Sequence, residues 1–279
     1  MRFRIHHDFV LSYPAPAKSI IMVLRLTPRS HEGQHIVAWR IDLHVDCLMN
    51  ASEDAFGNIV HMFNVEGPLQ RVGILVGGEV ETFDAAGIVR GAPERMPVPL
   101  FLRETMPTSA DASLRAFAAE VAATRNGTLD ILHGLMNAIH ATIAFDAEAD
   151  ATVAAAEAFT TKRGGAPDFA QIFIACARHL NIPARYVSGF FSPAGDDDGS
   201  ARMHGWAEAF VPEIGWIGFD AQNNLCPQEN HVRIACGLDR LGASPLRAAR
   251  ADAPCEAPTI TIRKGPRNGK PQSQSQQQS

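Results

Sequence analysis

The segment of residues 164–220 constrains the fold more than any other part of this 279-residue chain. Residues 168–180 are apolar around most of a helical circumference, which predicts a helix buried at the centre of a domain. A Gly-Gly pair precedes this helix, and Asn181 and Pro183 end it. Three predicted strands follow it, at residues 184–191, 203–211 and 216–219. The segment therefore predicts a central helix packed on an antiparallel sheet.

Two motifs in this segment, HGWAEAF and WIGFD, carry His204 and Asp220. Together with the helix before them, they resemble the core of the transglutaminase-like superfamily, specifically the bacterial transglutaminase-like proteins with an N-terminal β domain. The resemblance implies a papain-like cysteine-protease core with a Cys-His-Asp triad, in which the cysteine opens the helix. His204 and Asp220 match the histidine and aspartate of that triad, whereas the nucleophile position holds Ala166. The resemblance therefore implies the scaffold of a cysteine hydrolase or transferase without its thiol.

The start of the predicted helix bears on whether any activity is retained. A helix N-terminus lowers the pKa of a cysteine thiol and offers free N–H groups to an oxyanion. A histidine then takes the thiol proton, and a carboxylate fixes the histidine tautomer. Pro167 suits the first helical position, yet proline disfavours helical geometry at the residue before it, which is Ala166. Ala166 and Pro167 both depart from the family pattern, and they are adjacent. Together they argue against simple retention of activity.

The distance between His204 and Asp220 depends on the register of a predicted hairpin. If Phe210 pairs with Trp216, Asp220 becomes the diagonal neighbour of His204 on one face of the sheet, within reach of the imidazole. A two-residue turn would instead place the two side chains on opposite faces. The catalytic interpretation therefore requires a loop of three or five residues, for which Gly215 is well suited.

The remaining cysteines are poor substitutes for a thiol at residue 166. Cys176 lies ten residues further along the helix, which is about 15 Å at about 1.5 Å per residue. Cys226 follows Asp220 by six residues but lacks a helix terminus that would activate it. The five cysteines form no CxxC motif, and the acidic loop at 195–199 lacks the spacing of an EF-hand. We therefore expect free thiols, no metal ion and no cofactor.

Residues 1–86 predict an antiparallel β-sandwich, because short apolar or alternating runs recur between turn residues. Its predicted strands lie at residues 2–6, 20–26, 37–45, 58–63, 72–76 and 79–82. The segments RLTPRSHEGQHIVAWRIDL and SEDAFGNIVHMF resemble the N-terminal region that accompanies the bacterial family. We therefore predict an α+β protein in which this sandwich precedes the transglutaminase-like core.

The division of the chain follows from composition and periodicity. Residues 87–108 contain several prolines and no period, which predicts a linker before a core domain at 109–263. Helices are predicted at 108–123, 129–145 and 151–159, and edge strands at 232–237 and 259–263. Thr108 and Thr128 are expected to cap the first two helices. The Gln/Ser-rich tail at 264–279 is expected to be disordered.

Charge and hydropathy limit the partners that we expect. A formal net charge of −5 gives no support for nucleic-acid binding, which needs a clustered basic surface. No stretch approaches the roughly 18 apolar residues of a membrane span. The first residues are charged and alternating and lack the apolar block of a signal peptide. We expect a cytoplasmic protein with no membrane and no nucleic-acid partner, and the oligomeric state stays open.

Three functions remain open at this point. The first is a protein that has lost thiol chemistry and binds a peptide or amide-bearing group near His204 and Asp220. The second is an active cysteine peptidase, amidase or protein-glutamine acyl-transferase, which needs a native cysteine at residue 166 or another nucleophile. The third is an interaction partner within a larger assembly. The sequence as written favours the first, because alanine has no nucleophilic atom.

Overall fold

The structure is a computed structural model that describes residues 1–149, 154–193, 201–250 and 259–264, with residues 249–250 and 259–264 described by their backbone. The predictions for the acidic loop at 195–199 and for the tail beyond residue 264 lie outside the described residues. The same is true of residues 151–153 at the start of the predicted third helix.

The elements follow the predicted order of strands, helices and further strands. The first strands are β1 (Arg2–Thr27), β2 (Gln34–Leu43), β3 (Met49–Glu53), β4 (Ile59–Thr82) and β5 (Ile88–Val89). The helices are α1 (Ala112–Ala123), α2 (Thr128–Thr142), α3 (Ala155–Thr161) and α4 (Ala166–His179). The remaining strands are β6 (Ala144–Phe145), β7 (Arg163–Gly164), β8 (Ala184–Phe191), β9 (Arg202–Val211), β10 (Gly215–Phe219), β11 (His231–Gly237), β12 (Leu246–Arg250) and β13 (Thr259–Lys264).

The two long strands β1 and β4 pair antiparallel and organise the N-terminal sheet. At one end of this pair, β13 lies beside the N-terminal half of β1 and β2 lies beside the C-terminal half of β4. Beyond a bend, β12 lies beside the C-terminal half of β1 and β3 lies beside the N-terminal half of β4. One apolar cluster contains Phe9 and Ile74 from the first side of the bend and Ile20 and Phe63 from the second. The two halves of this sheet therefore share one core, as the layers of a sandwich do.

The strand boundaries in this sheet correct the sequence prediction. The separate strands expected at 2–6 and 20–26 are parts of β1, although Pro14 lies between them. The ladder between β1 and β4 shifts register between Ser12 and Ala17, so that proline is tolerated where no ladder partner is needed. A Cβ on Gly67 would lie 1.9 Å from the carbonyl oxygen of Ala17, so the close approach at this bend requires glycine.

The second sheet has the order β11-β8-β9-β10-β5, and its strands are antiparallel to their neighbours. Helix α4 packs against β8 and β9 and is buried along most of its length. Phe169 and Phe173 of α4 share one core cluster with Ala207 and Ala209 of β9. The predicted central helix on an antiparallel sheet is therefore confirmed. The helix begins at Ala166 instead of residue 168.

The chain returns to the N-terminal sheet after it completes the second one. Strands β12 and β13, which lie within the range predicted as the core domain, both pair with β1. The side chain of Gln34 accepts from the N–H of Arg233 at 2.7 Å and donates to its carbonyl at 2.8 Å. Asn58 makes the equivalent pair of bonds with the backbone of Cys236. The two sheets are thus joined by both strands and side chains.

The predicted helix caps Thr108 and Thr128 are both wrong, and Thr108 binds another side chain instead. Asp111 caps α1 in place of Thr108, because its carboxylate accepts from the N–H of Leu114 at 2.8 Å. The hydroxyl of Thr108 instead accepts a hydrogen bond from the buried guanidinium of Arg178 at 2.8 Å. Helix α2 includes Thr128 and has Gly127 as its N-cap. No helix in the part of the chain that the structure describes is long and apolar enough to cross a membrane.

Candidate active site

His204 and Asp220 lie side by side at the start of β9 and directly after β10. Phe210 pairs with Trp216, so the predicted register of this hairpin is confirmed. Val211 pairs with Gly215, which leaves a three-residue loop between them. Nε2 of His204 lies 2.7 Å from Oδ2 of Asp220, and both side chains are buried. The hairpin therefore forms the hydrogen-bonded pair that the catalytic interpretation requires, while its role in catalysis stays a prediction.

Asp220 is surrounded by more groups than the sequence indicated. Its Oδ2 lies 3.1 Å from Nε2 of His231 and accepts a bond from the side-chain amide of Asn223 at 2.7 Å. Its Oδ1 accepts from the backbone N–H of Asn223 at 3.3 Å. Burial alone would raise the pKa of Asp220, but the bonds from His204 and His231 outweigh burial and hold its pKa far below the usual value. The carboxylate is therefore ionised.

His231 is the site residue that sequence reasoning missed. It opens β11, which pairs with β8 and so lies two strands away from β9. Burial lowers the pKa of His231, and Asp220 opposes this only in part, so the ring is neutral at pH 7. Its ring packs against Phe191 and edge-on against Trp206, at centroid distances of 4.7 and 5.2 Å. No local motif marks this histidine, because only the sheet order brings it to Asp220.

Ala166 is the first residue of α4 and is partly exposed. Pro167 is the second helical residue, and the helix includes Ala166 despite the proline that follows it. The carboxylate of Asp168 accepts from the N–H of Gly165 at 2.8 Å and fixes the entry of the chain into the helix. The first turn of α4 thus presents a methyl group at the position where the implied family pattern has a thiol.

Contacts at the end of α2 relate this helix start to the His204–Asp220 pair. Phe145 of β6 pairs with Gly164 of β7, which leads directly into α4. One turn earlier, Nδ1 of His140 donates to the backbone oxygen of Gln222, at 3.0 Å. The start of α4 and the segment after Asp220 therefore lie at the same end of the core.

The outer face of the second sheet carries a buried charge network beside the site. Glu208 is fully buried and accepts from Arg185 at 2.6 Å and from Arg233 at 2.7 Å. Arg185 also binds Glu94 of the predicted linker through two bonds of 2.8 and 3.0 Å. A cavity of about 50 Å³ adjoins the network, lined among others by His31, Trp206, Glu208, His231 and Arg233. Its lining combines these polar groups with apolar side chains such as Ile88 and Val89.

The cysteines in the described part of the chain do not replace the missing thiol. Cys176 is fully buried inside α4, and burial raises its pKa well above the usual value. Burial also raises the pKa of the half-buried Cys226. A thiol with a raised pKa holds less of the thiolate that thiol catalysis requires. Cys255 lies outside the described residues.

The fold and the site together define a two-part protein with a papain-like core that retains a histidine–aspartate pair. Residues 3–81 match the family described as bacterial transglutaminase-like N-terminal region, and residues 115–221 match the transglutaminase-like superfamily. Residues 115–221 are therefore a transglutaminase-like core, and residues 3–81 are the bacterial N-terminal region that precedes it. The second match includes Ala166, His204 and Asp220.

Similar proteins match this chain over most of their length. An uncharacterised protein of Mycobacterium tuberculosis is 24% identical over 271 residues, which cover 88% of this chain and 86% of the relative. An uncharacterised protein of Mycobacterium leprae is 23% identical over 258 residues, covering 88% of this chain and 92% of the relative. The crystal structure of a proposed cysteine protease from Cytophaga hutchinsonii is 19% identical and superposes with a TM-score of 0.74. That superposition covers 97% of this chain and 93% of the other, so the likeness in fold includes both sheets.

Proposed function

We propose that this protein is a transglutaminase-like homologue without thiol catalysis, which binds a peptide or an amide-bearing side chain beside His204 and Asp220. The observation that carries the proposal is the methyl group of Ala166 at the first residue of α4. A methyl group cannot attack an amide carbonyl, so no acyl-enzyme can form at this position. The His204–Asp220 pair is nevertheless kept as a buried, hydrogen-bonded unit.

The remaining groups at this end of the core suit an uncleaved amide. At the start of α4 the candidate donor to a carbonyl oxygen is the N–H of Ala166, because Pro167 has no N–H and the N–H of Asp168 donates to the carbonyl of Gly165. Nε2–H of His204 is directed to Asp220, so its Nδ1 is the acceptor nitrogen. In the part of the chain that the structure describes, no hydrogen bond to Nδ1 of His204 is found. Nδ1 can therefore accept a hydrogen bond from an amide N–H.

The experiment that tests this proposal separates binding from covalent chemistry. The protein and its His204→Ala variant are mixed with an electrophilic peptide-amide probe, and their intact masses are measured. In parallel, blocked Ala-Gln-Gly and Ala-Glu-Gly peptides are titrated into both proteins by NMR. We expect no adduct in either protein, and reversible binding of the glutamine peptide that is weaker in the variant.

Two results would contradict the proposal. An adduct that depends on His204 would identify a nucleophile elsewhere and support an active cysteine peptidase, amidase or protein-glutamine acyl-transferase. Identical titrations of the glutamine and glutamate peptides, unaffected by His204→Ala in a folded protein, would remove amide binding from this site.

A further inference from the structure

We propose that His204, Asp220 and His231 form a binding site for one divalent transition-metal ion, with Zn²⁺ the first ion to test. The three ligand atoms all lie within 4.8 Å of one another, and the three side chains are buried. Two imidazoles and one carboxylate are a donor set that both zinc and ferrous iron accept. This inference does not rest on peptide binding. An ion at Nε2 of His204 would leave the ring proton on Nδ1, so the ion-bound site could not accept an amide N–H at that nitrogen.

The spacing of the three ligands is close to that around an ion. Oδ2 of Asp220 lies 2.7 Å from Nε2 of His204 and 3.1 Å from Nε2 of His231. With zinc–ligand bonds of about 2.0–2.2 Å, ligand atoms of a tetrahedral site lie roughly 3.3–3.6 Å apart. The two imidazoles would therefore have to move away from Oδ2 of Asp220 by about 0.2–0.9 Å to admit the ion.

Each nitrogen of the His231 ring faces a polar group. Its Nδ1 lies 2.7 Å from Oδ1 of Asn230. Nε2 of His231 faces the same Asp220 oxygen that Nε2 of His204 faces, so a cation placed between them would contact all three ligand atoms. The backbone N–H of Gln228 approaches the same Nδ1 at 3.4 Å and is the competing partner. An ion bound at Nε2 would leave Nδ1 protonated and able to donate to Oδ1 of Asn230.

The surroundings supply what a metal site needs beyond its ligands. Metal-binding histidines commonly donate their other ring N–H to a nearby oxygen, which is the relation of His231 to Asn230. The backbone N–H of Asn223 orients Asp220 through its second oxygen at 3.3 Å. Of the three ligands, His231 alone lines the cavity of about 50 Å³. Three protein ligands and one water are the usual set of an open zinc site.

The test uses the full-length protein after chelator treatment. Zn²⁺ is titrated by calorimetry, Co²⁺ by visible absorption, and Fe²⁺ in the absence of oxygen. We expect one equivalent to bind and the affinity to fall about 100-fold or more in His231→Gln and in Asp220→Asn. His6→Gln, which removes an exposed histidine of β1, is the matched control and should bind as the wild type does. In His231→Cys, bound Co²⁺ should gain a thiolate-to-cobalt absorption band that the wild type lacks.

Several outcomes would overturn the inference. A folded wild-type protein that binds none of the three ions at one equivalent would assign the proton of His231 to Nε2 and leave only hydrogen bonds at Asp220. Binding that is unchanged in both His231→Gln and Asp220→Asn would place the ion elsewhere. If circular dichroism shows that Asp220→Asn does not fold, the metal titrations of His231→Gln and His231→Cys test the inference without it. These titrations contain no peptide, so their outcome is separate from that of the proposed amide binding.

Discussion

Nε2 of His231 lies 3.1 Å from the Asp220 oxygen that also bonds His204, although eleven residues separate His231 from Asp220 in the chain. The aspartate is therefore shared between two imidazoles. In the triad that the family implies, one carboxylate orients one histidine. His231 adds a second imidazole nitrogen beside this carboxylate, which can either donate a proton to it or accept one. The chemistry available at Asp220 thus differs from that of a triad that has simply lost its cysteine.

Replacement of Ala166 by cysteine should create a reactive thiol. The side chain would stand at the first turn of α4, where the helix N-terminus stabilises a thiolate. We expect Ala166→Cys to react with iodoacetamide about tenfold faster or more at pH 7 than Ala119→Cys, since lowering a thiol pKa by one unit raises the thiolate fraction up to tenfold. Ala119 is an exposed alanine within α1 and provides the matched control. Equal rates for the two variants would show that the retained surroundings do not activate a thiol.

Loss of the buried charge of Glu208 should destabilise the protein strongly. Burial opposes ionisation of Glu208, but Arg233 and Arg185 prevail and lower its pKa to about 2. Removal of one partner from a buried ion pair typically costs about 3–5 kcal/mol. We expect Glu208→Gln to lose stability of that order in urea denaturation. Asp42 forms an exposed ion pair with Arg40, so the control variant Asp42→Asn should lose less than about 1 kcal/mol of stability. Similar losses in both variants would contradict the role of burial.

The pH dependence of stability should reflect His31. Burial, reinforced by Arg233, lowers the pKa of His31 to about 4 in the folded protein. The unfolded chain, with a histidine pKa of about 6.5, therefore binds the proton first as the pH falls. Stability from this group is full above about pH 6.5 and is lost progressively toward pH 4. In His31→Asn the urea midpoint should fall less over this interval than in the wild type.

A control variant separates the contribution of His31 to the pH dependence of stability from the contributions of other histidines. His6→Asn changes an exposed histidine and should leave the pH profile of the urea midpoint as in the wild type. Burial also lowers the pKa of His61 and of His231, so part of the wild-type loss should remain in His31→Asn. A profile of His31→Asn that matches the wild type would show that His31 titrates normally in the folded state.

The bend in the N-terminal sheet should depend on Gly67. A Cβ at this position would meet the carbonyl oxygen of Ala17 at 1.9 Å, so the backbones of β1 and β4 would have to separate. We expect Gly67→Ala to destabilise the protein by about 1–3 kcal/mol, the usual cost of overpacking. At Gly77 of the same strand the nearest atom would be 3.6 Å away, so Gly77→Ala should be tolerated. Thermal unfolding of both variants is the measurement, and equal midpoints would contradict this account of the bend.

The helix and hairpin of the core could be predicted because their signals are local. The apolar surface of α4 requires burial on all sides, and alternation along β9 and β10 fixes which residues face the helix. The register of the hairpin followed from pairing Phe210 with Trp216, and it brought Asp220 to His204. Capping was less predictable, because several polar residues precede α1 and the competition for Thr108 came from the distant Arg178.

Sequence by itself determined the family, the central helix, the hairpin and the absence of a thiol at residue 166. Each of these depends on residue types or on spacings within a few turns of one element. Tertiary structure alone decided that β1 is one bent strand, that β12 and β13 return to it, and that His231 joins Asp220. The return of β12 and β13 joins residues far apart in the chain, and the order of strands that brings His231 to Asp220 leaves no periodicity in sequence. The second histidine of the site was therefore visible only once β11 was placed beside β8.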